Sequence, residues 1–413
     1  MNGKHLALSL LLSSALLVAG SGAAGAQPAP LGPETRVDTL AGDQFPGNPM
    51  LTVQRDGTFE IAWSYGAHQP AAIYVRHFNA AGRPTDASQV LLGSEGFWPE
   101  VDAIVKAGKG YDVLWHVIGG PGVPTPFYTR HLDARGVPLG KKPLKVGKPF
   151  MSYMWFTAGD GLAGGYYLSL IGTLELRKIS PNGVPTLQER RINTSELTSP
   201  VPAVVPLTNG GFVGVIQGTT VVPAGGTPQP VLRARRFSGQ FEPVGPDFDL
   251  NTIPAGPAGT PPLLGQTFAV AAAPDGGFGV AWTLDDTLYV RVFDAAGHAE
   301  VPESPVVTVG PDHRIAPASI AFDNAGNLLL LWMEEATEPL SGIPLLDLHL
   351  QLFNSRGVPL GPQEELTSAA SGAFGQPLTG KVAWANGSWL VTWAAESNLQ
   401  GPSAIFVRRF ARQ

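Results

Sequence analysis

The residues best suited to chemistry in this 413-residue chain are few, and none of them recurs at a fixed period. Trp98 and Glu100 stand in Phe97-Trp98-Pro99-Glu100, and Tyr153 and Trp155 in Met151-Ser152-Tyr153-Met154-Trp155. His116 follows the apolar run Val113-Leu114-Trp115, and Asp312, His313 and Arg314 are consecutive. An aromatic ring gives a sugar or peptide a flat apolar face to stack on, while imidazoles and carboxylates bond its polar groups. Two carboxylates about 5–10 Å apart would also suit glycoside hydrolysis, one as acid and the other as base or nucleophile. Glu100 and Asp312 are the acids nominated for that role. His68, Asp285, Asp286, Glu334, Glu335 and Glu396 add further polar groups. The plainer reading of any one of these residues is a packed loop aromatic or a solvated acid.

Other chemistry is excluded or unsupported. The chain has no cysteine, so it has no disulfide, no zinc–thiolate site and no thiol nucleophile. None of H-E-x-x-H, G-x-S-x-G and G-x-x-x-x-G-K-[ST] occurs. The eight histidines include no pair at a convincing metal-ligand spacing, and no turn acid sits in a D-x-D-x-D-G calcium loop. No cofactor and no metal are expected. A net charge of −6 without long basic runs argues against a nucleic-acid partner.

The elements that must position these residues are strands. Gly (51) and Pro (39) make up more than a fifth of the chain, charged residues are 15% and hydrophobic residues 44%. That balance supports a large core and rules out a disordered chain. One unit recurs: an apolar strand, a Gly-rich turn, a strand ending in tryptophan, a variable loop, a strand of the form aromatic-x-Arg-x-Phe, a tight turn and a last strand. Clear copies hold Phe59 to Trp63 with Tyr74, Arg76 and Phe78, and Tyr111 to Trp115 with Tyr128 and Arg130. Others hold Asp275 to Trp282 with Tyr289, Arg291 and Phe293, and Asn386 to Trp393 with Phe406, Arg408 and Phe410. The copies around Tyr166–Ile179 and Asn327–Gly361 are less regular, and one more spans Gly210–Phe237. Period-two alternation in Phe59-x-Ile61-x-Trp63 suits a pleated strand, and Asp-Gly, Asn-Gly and Ala-Gly tips supply the positive φ of tight hairpins. No stretch beyond the leader shows a sustained helical period.

Seven copies of about 55 residues, each of four short strands, predict an all-β, seven-bladed β-propeller with four-stranded antiparallel blades. Leu31 to Leu40 resembles the last strand of other copies, whereas the last copy stops after its third strand. The N-terminal strand is therefore expected to close the last blade, which removes two exposed sheet edges. A pair of β-sandwich domains is the weaker alternative. The motifs Asp275-Gly276-Gly277-Phe278-Gly279-Val280-Ala281-Trp282 and Arg291-Val292-Phe293-Asp294-Ala295-Ala296-Gly297 resemble the propeller repeats of exported bacterial proteins. The resemblance covers nearly the whole chain beyond the leader. It implies a fold and no activity.

A residue repeated in every copy is read as architecture, because a catalytic group is needed once. The strand arginines (Arg76, Arg130, Arg177, Arg235, Arg291, Arg408) should stack on aromatics or bond backbone carbonyls between blades. The turn residues Asp56, Asp133, Asp275, Asp294 and Asn354 should cap their own turns. Unrepeated residues fall in the connections between second and third strands and between successive blades, which alternation puts on one face of the disc. The expected loops there are Ser64 to Ala71, His116 to Pro126, Gln217 to Pro230, Asn251 to Gln266 and Met333 to Leu346.

The N-terminus reads as an address. Lys4 and His5 precede an apolar run from Leu6 to Ala19 and a small-residue stretch ending Ala24-Gly25-Ala26. This is the pattern of a secretory signal peptide over residues 1–26, leaving 27–413 as one propeller domain. No later segment approaches a membrane span. The expectation is a secreted or periplasmic monomer that binds a glycan, peptide or envelope protein through Trp98, Glu100, His116, Tyr153, Trp155, Asp312, His313 and Arg314. The alternatives are a carbohydrate-active enzyme and a structural interaction module of a surface assembly.

Overall fold

The computed structural model describes residues 28–412, apart from 40–44, 67–70, 87–88, 94–97, 108, 119–124, 151–155, 160–161, 169–173, 180–189, 192–196, 221–229, 241, 253–267, 285, 311, 338–343, 367–375 and 397–402. Strand β1 (Thr35–Arg36) comes first. The first sheet follows, with β2 (Phe45–Pro46), β3 (Met50–Val53), β4 (Phe59–Gly66), β5 (Ala72–Phe78) and β6 (Val90–Gly93). Next come β7 (Trp98–Ala107), β8 (Gly110–Ile118), β9 (Thr125–Leu132) and β10 (Leu144–Phe150), then β11 (Phe156–Gly159), β12 (Leu162–Leu168), β13 (Leu174–Ile179) and β14 (Arg190–Arg191). They are followed by β15 (Leu197–Pro206), β16 (Phe212–Thr220), β17 (Pro230–Phe237) and β18 (Phe248–Asp249). A further sheet holds β19 (Phe268–Ala272), β20 (Phe278–Leu284), β21 (Thr287–Phe293) and β22 (Ser304–Thr308), and another β23 (His313–Phe322), β24 (Leu328–Thr337), β25 (Pro344–Phe353) and β26 (Glu364–Glu365). Finally β27 (Gln376–Ala385), β28 (Ser388–Glu396) and β29 (Ser403–Ala411) share a sheet with β1.

Each sheet is an antiparallel meander, and the inner strands β3, β7, β11, β15, β19, β23 and β27 each lie against the next, with β27 returning to β3. The fold is an all-β propeller with four-stranded antiparallel blades. The expected count of seven such blades is corrected: six sheets are four-stranded, and the first sheet has five strands. The reason lies in Pro46-Gly47-Asn48-Pro49. Neither proline can donate to the ladder. The inner strand there breaks into β2 and β3, both paired with β4, and between them only Gly47 N bonds back, donating to Ser64 O at 2.7 Å.

Aromatic pairs fill the space between sheets. In four sheets a tryptophan within the second strand stacks on the ring opposite it on the third: Trp63 on Tyr74, Trp115 on Tyr128, Trp282 on Tyr289 and Trp393 on Phe406, at 5.7–6.0 Å between centroids. At the other end Phe59 stacks on Phe78, Phe212 on Phe237 and Phe278 on Phe293. Trp63, Trp115, Trp332 and Trp393 are fully buried, and rings of this size bury roughly 150–250 Å² each.

The strand arginines are clamps. Arg76, Arg130 and Arg235 each donate to a carbonyl ten residues on, at Asp86, Gly140 and Gly245. Gln351, which stands where other copies have arginine, does the same to Gly361. Arg76 also donates to Val37 O, Arg130 to Leu92 O and Arg291 to Leu250 O, tying the third strand to the end of the preceding sheet. The side chain of Arg177 lies outside the described residues. Turn residues cap themselves as expected: Asp133, Asp294 and Asn354 each accept two backbone N–H bonds within their own turns, and Asp275 accepts one.

The two ends of the chain meet. β1 pairs with β29, Thr35 opposite Val407 and Arg36 opposite Phe406. Asp38, buried, accepts from Arg36, from Tyr65 Oη at 2.9 Å and from Ile405 N at 3.0 Å. One carboxylate thus joins the N-terminal segment, the first sheet and the C-terminal strand. Among the described residues no helix is long and apolar enough to cross a membrane.

Candidate functional site

Tight turns carrying Gly57, Gly136, Gly276 and Gly297 at positive φ occupy one face of the disc. The starts of the inner strands and the ends of the second strands therefore share the other face. Here the structure corrects the expected loop positions. His116 lies within β8, and His313 and Arg314 on β23, near strand ends rather than in loops, while Trp98 and Glu100 enter the first strand of their sheet, β7, as expected. β24 runs on to Thr337 and β25 starts at Pro344, so most of the expected Met333–Leu346 loop is sheet.

On β7 a bulge falls between Val101 and Ala103. A bulge inserts an extra residue and re-aims its side chain, and here that residue is Asp102. Its carboxylate accepts from His116 Nδ1, with both oxygens at 3.0 Å. Glu100 sits opposite His116 in the register, and its Oε2 lies 3.8 Å from His116 Nε2. The three differ sharply in exposure. Asp102 is 7% exposed at its side chain, His116 13% and Glu100 57%. A buried acid thus holds the imidazole from behind, and its far nitrogen faces an acid open to solvent.

Burial pushes the Asp102 pKa up, with His116 pulling the other way. Burial opposes charge on His116 too, but the Asp102 carboxylate outweighs it through its charge and hydrogen bond, with Glu100 adding to the effect. The imidazole pKa is raised above its ordinary 6.5. Held in orientation by Asp102, this imidazole takes up a proton more readily than a free one, beside an accepting carboxylate. That arrangement suits recognition of a polar, hydroxyl-bearing group.

A second cluster lies at the same face on another sheet. His313 Nδ1 lies 2.6 Å from Glu334 Oε1, and His349 Nε2 lies 3.5 Å from Glu334 Oε2. His349 stacks on Trp332 at 5.4 Å, in the place other copies give to tyrosine or phenylalanine.

Of the residues nominated from sequence, Glu100 and His116 come together. The backbone of Trp98 pairs with Ile118 on the same strands, and its side chain lies outside the described residues. Asp312 and Arg314 are exposed and flank His313 on a different sheet from Glu100. Tyr153, Trp155, His68 and Asp285 lie outside the described residues. Asp102 and His349 were not nominated. The first was visible as a charge inside Val101–Val105, the second as a histidine at an aromatic repeat position. Among the described residues no group of three His, Asp or Glu is arranged to hold a metal ion.

No protein-family model matches the chain, and no curated protein matches it. Solved structures do. A protein of unknown function from Dyadobacter fermentans DSM 18053 is 9% identical, covers 94% of this chain and 100% of its own, and gives a TM-score of 0.50. A prolyl endopeptidase is 12% identical over 88% of this chain and 46% of its own, with a TM-score of 0.48. The α-L-arabinanase of Penicillium chrysogenum, complexed with arabinobiose, is 12% identical over 80% of this chain and 99% of its own, with a TM-score of 0.46. At these identities the likeness is one of fold.

Proposed function

We propose that this chain is an exported β-propeller that binds a hydroxyl-rich ligand, a glycan above all, at the face carrying Glu100 and His116. The observation that supports this reading is the buried Asp102 on its bulge, orienting His116 toward the exposed Glu100. The imidazolium donates to a ligand hydroxyl while Glu100 accepts from one, and hydrogen bonds to charged groups are individually worth about 1.5–3 kcal/mol. Residues 1–26 act as the export signal. The partner is a glycan, peptide or envelope protein, and the protein works as a monomer.

A glycan array and a glycosidase screen on the purified protein test this. Binding should weaken roughly tenfold or more in Glu100→Gln and in His116→Gln, since each loses a charged hydrogen-bonding group. Hydrolysis abolished by Glu100→Gln would instead establish a carbohydrate-active enzyme. No binding to any glycan or envelope protein would leave a structural module.

A further inference from the structure

A lysine occupies an inner-strand position that the other sheets give to small or apolar residues. Lys381 on β27 pairs with Thr392, one residue before Trp393. The equivalent positions are Met50 opposite Ala62, Ala103 opposite Leu114, Ala203 opposite Val215, Ala269 opposite Ala281 and Ser319 opposite Leu331. The repeat therefore needs no charge here. Ser319 Oγ accepts from Val382 N at 3.2 Å, so this position faces the inner strand of the following sheet, close to the axis. A Cβ on the neighbouring Gly380 would come within 2.7 Å of Leu331, which puts Gly380 against the preceding sheet and turns Lys381 the other way.

Among the described residues the amine has no counter-charge. No described residue forms a hydrogen bond or ion pair with its Nζ, and burial lowers its pKa with no described acid acting against it. Lys381 nevertheless keeps partial exposure. The charges of the inner strands are unevenly placed. Glu100, Asp102, His313 and Arg314 lie near the mouth, and Asp102 is already bonded to His116. Deeper along the same strands the only ionisable residues are Lys106 and Lys381. In a protein of net charge −6 this stretch carries two cations and no carboxylate.

We propose that the axial region takes a small oxyanion or carboxylate, with Lys381 as its counter-charge. This site is separate from the Glu100–His116 face and does not depend on that reading. An anion there supplies the missing partner to a half-buried ammonium.

Thermal unfolding of the full chain, with sodium chloride exchanged for sodium sulfate or sodium acetate at constant ionic strength, tests the proposal. The wild-type midpoint should rise saturably, by on the order of a few degrees at hundredfold excess over the dissociation constant. Lys381→Met and Lys381→Ser, which place repeat-compatible residues at this position, should lose that rise. The sulfate and acetate arms tell a tetrahedral oxyanion from a carboxylate. An equal rise in the variants, or no saturable rise in the wild type, would overturn the proposal. Peptide-mapped labelling with an amine-reactive reagent needs no variant. The effective anion should slow labelling of Lys381 several-fold while leaving the exposed Lys141 and Lys142 unchanged, and equal rates at all three would count against the site.

Discussion

Two acid–histidine pairs have opposite jobs. Asp102 and His116 sit at the mouth, where the acid holds the imidazole toward solvent. Glu60 and His77 are buried neighbours across β4 and β5, 2.5 Å apart, with Glu60 beneath the turn at Gly136. Replacing Asp102 by Asn should bring the His116 pKa down toward the ordinary imidazole value, read from its ring proton shifts in an NMR titration. For the buried pair, the hydrogen bond that His77 Nδ1 donates to Glu60 raises His77 above 6.5, and burial raises Glu60. A raised histidine stabilises the fold fully below its unfolded pKa and loses that contribution as pH climbs through the folded value. A raised carboxyl likewise disfavours the fold as it ionises. Urea denaturation should therefore show stability falling from pH 6 to pH 9, with a shallower fall in Glu60→Gln. Much of this was legible in sequence as single residues, Glu100 and His116 among them. Their meeting was not, because it depends on the bulge at Asp102, and a bulge is set by the register of β7 on β8 rather than by β7 alone.

The clamps and turns decide which strands hold together. Arg291 donates to Leu250 O at 2.8 Å and lies over the Phe293 ring at 5.3 Å, so it joins two sheets. Arg291→Ala should cost about 1–3 kcal/mol in chemical denaturation, with Arg291→Lys recovering only part of it because the planar fork is lost. Gly136 has φ +76°, and a Cβ there would come within 2.9 Å of Glu60 Oε2. Gly136→Ala should destabilise by roughly 1–3 kcal/mol in the same assay, since it adds backbone strain to a clash with a buried carboxyl. The hairpins were readable because Asp-Gly and Ala-Gly tips and period-two alternation are local signals. The doubled inner strand β2/β3 was not, since it depends on how Pro46 and Pro49 break a ladder whose other half is β4. Strand ends beyond His116 and Met333 were likewise taken for loop, because pairing with neighbours extends them past the point where apolar alternation fades.

At the scale of the whole molecule the repeat made the circular arrangement legible, and the likeness of Leu31–Leu40 to a last strand foretold the shared sheet. The residue that secures it was not foreseen. Asp38 is bonded at once to Arg36, Tyr65 and Ile405, and Asp38→Ala should lower stability by about 2–4 kcal/mol by leaving the buried Tyr65 hydroxyl and a backbone N–H without partners. Arg36 finds its neighbour at Phe406, almost the full length of the chain away. Loop closure over such a distance pays its entropy before any contact rewards it, so this pairing belongs among the late events of folding. While the C-terminal segment is still being made or threaded, the sheets already formed have an unfilled gap in their circle. Timing is thus built into the topology: the finished disc waits for its final strand.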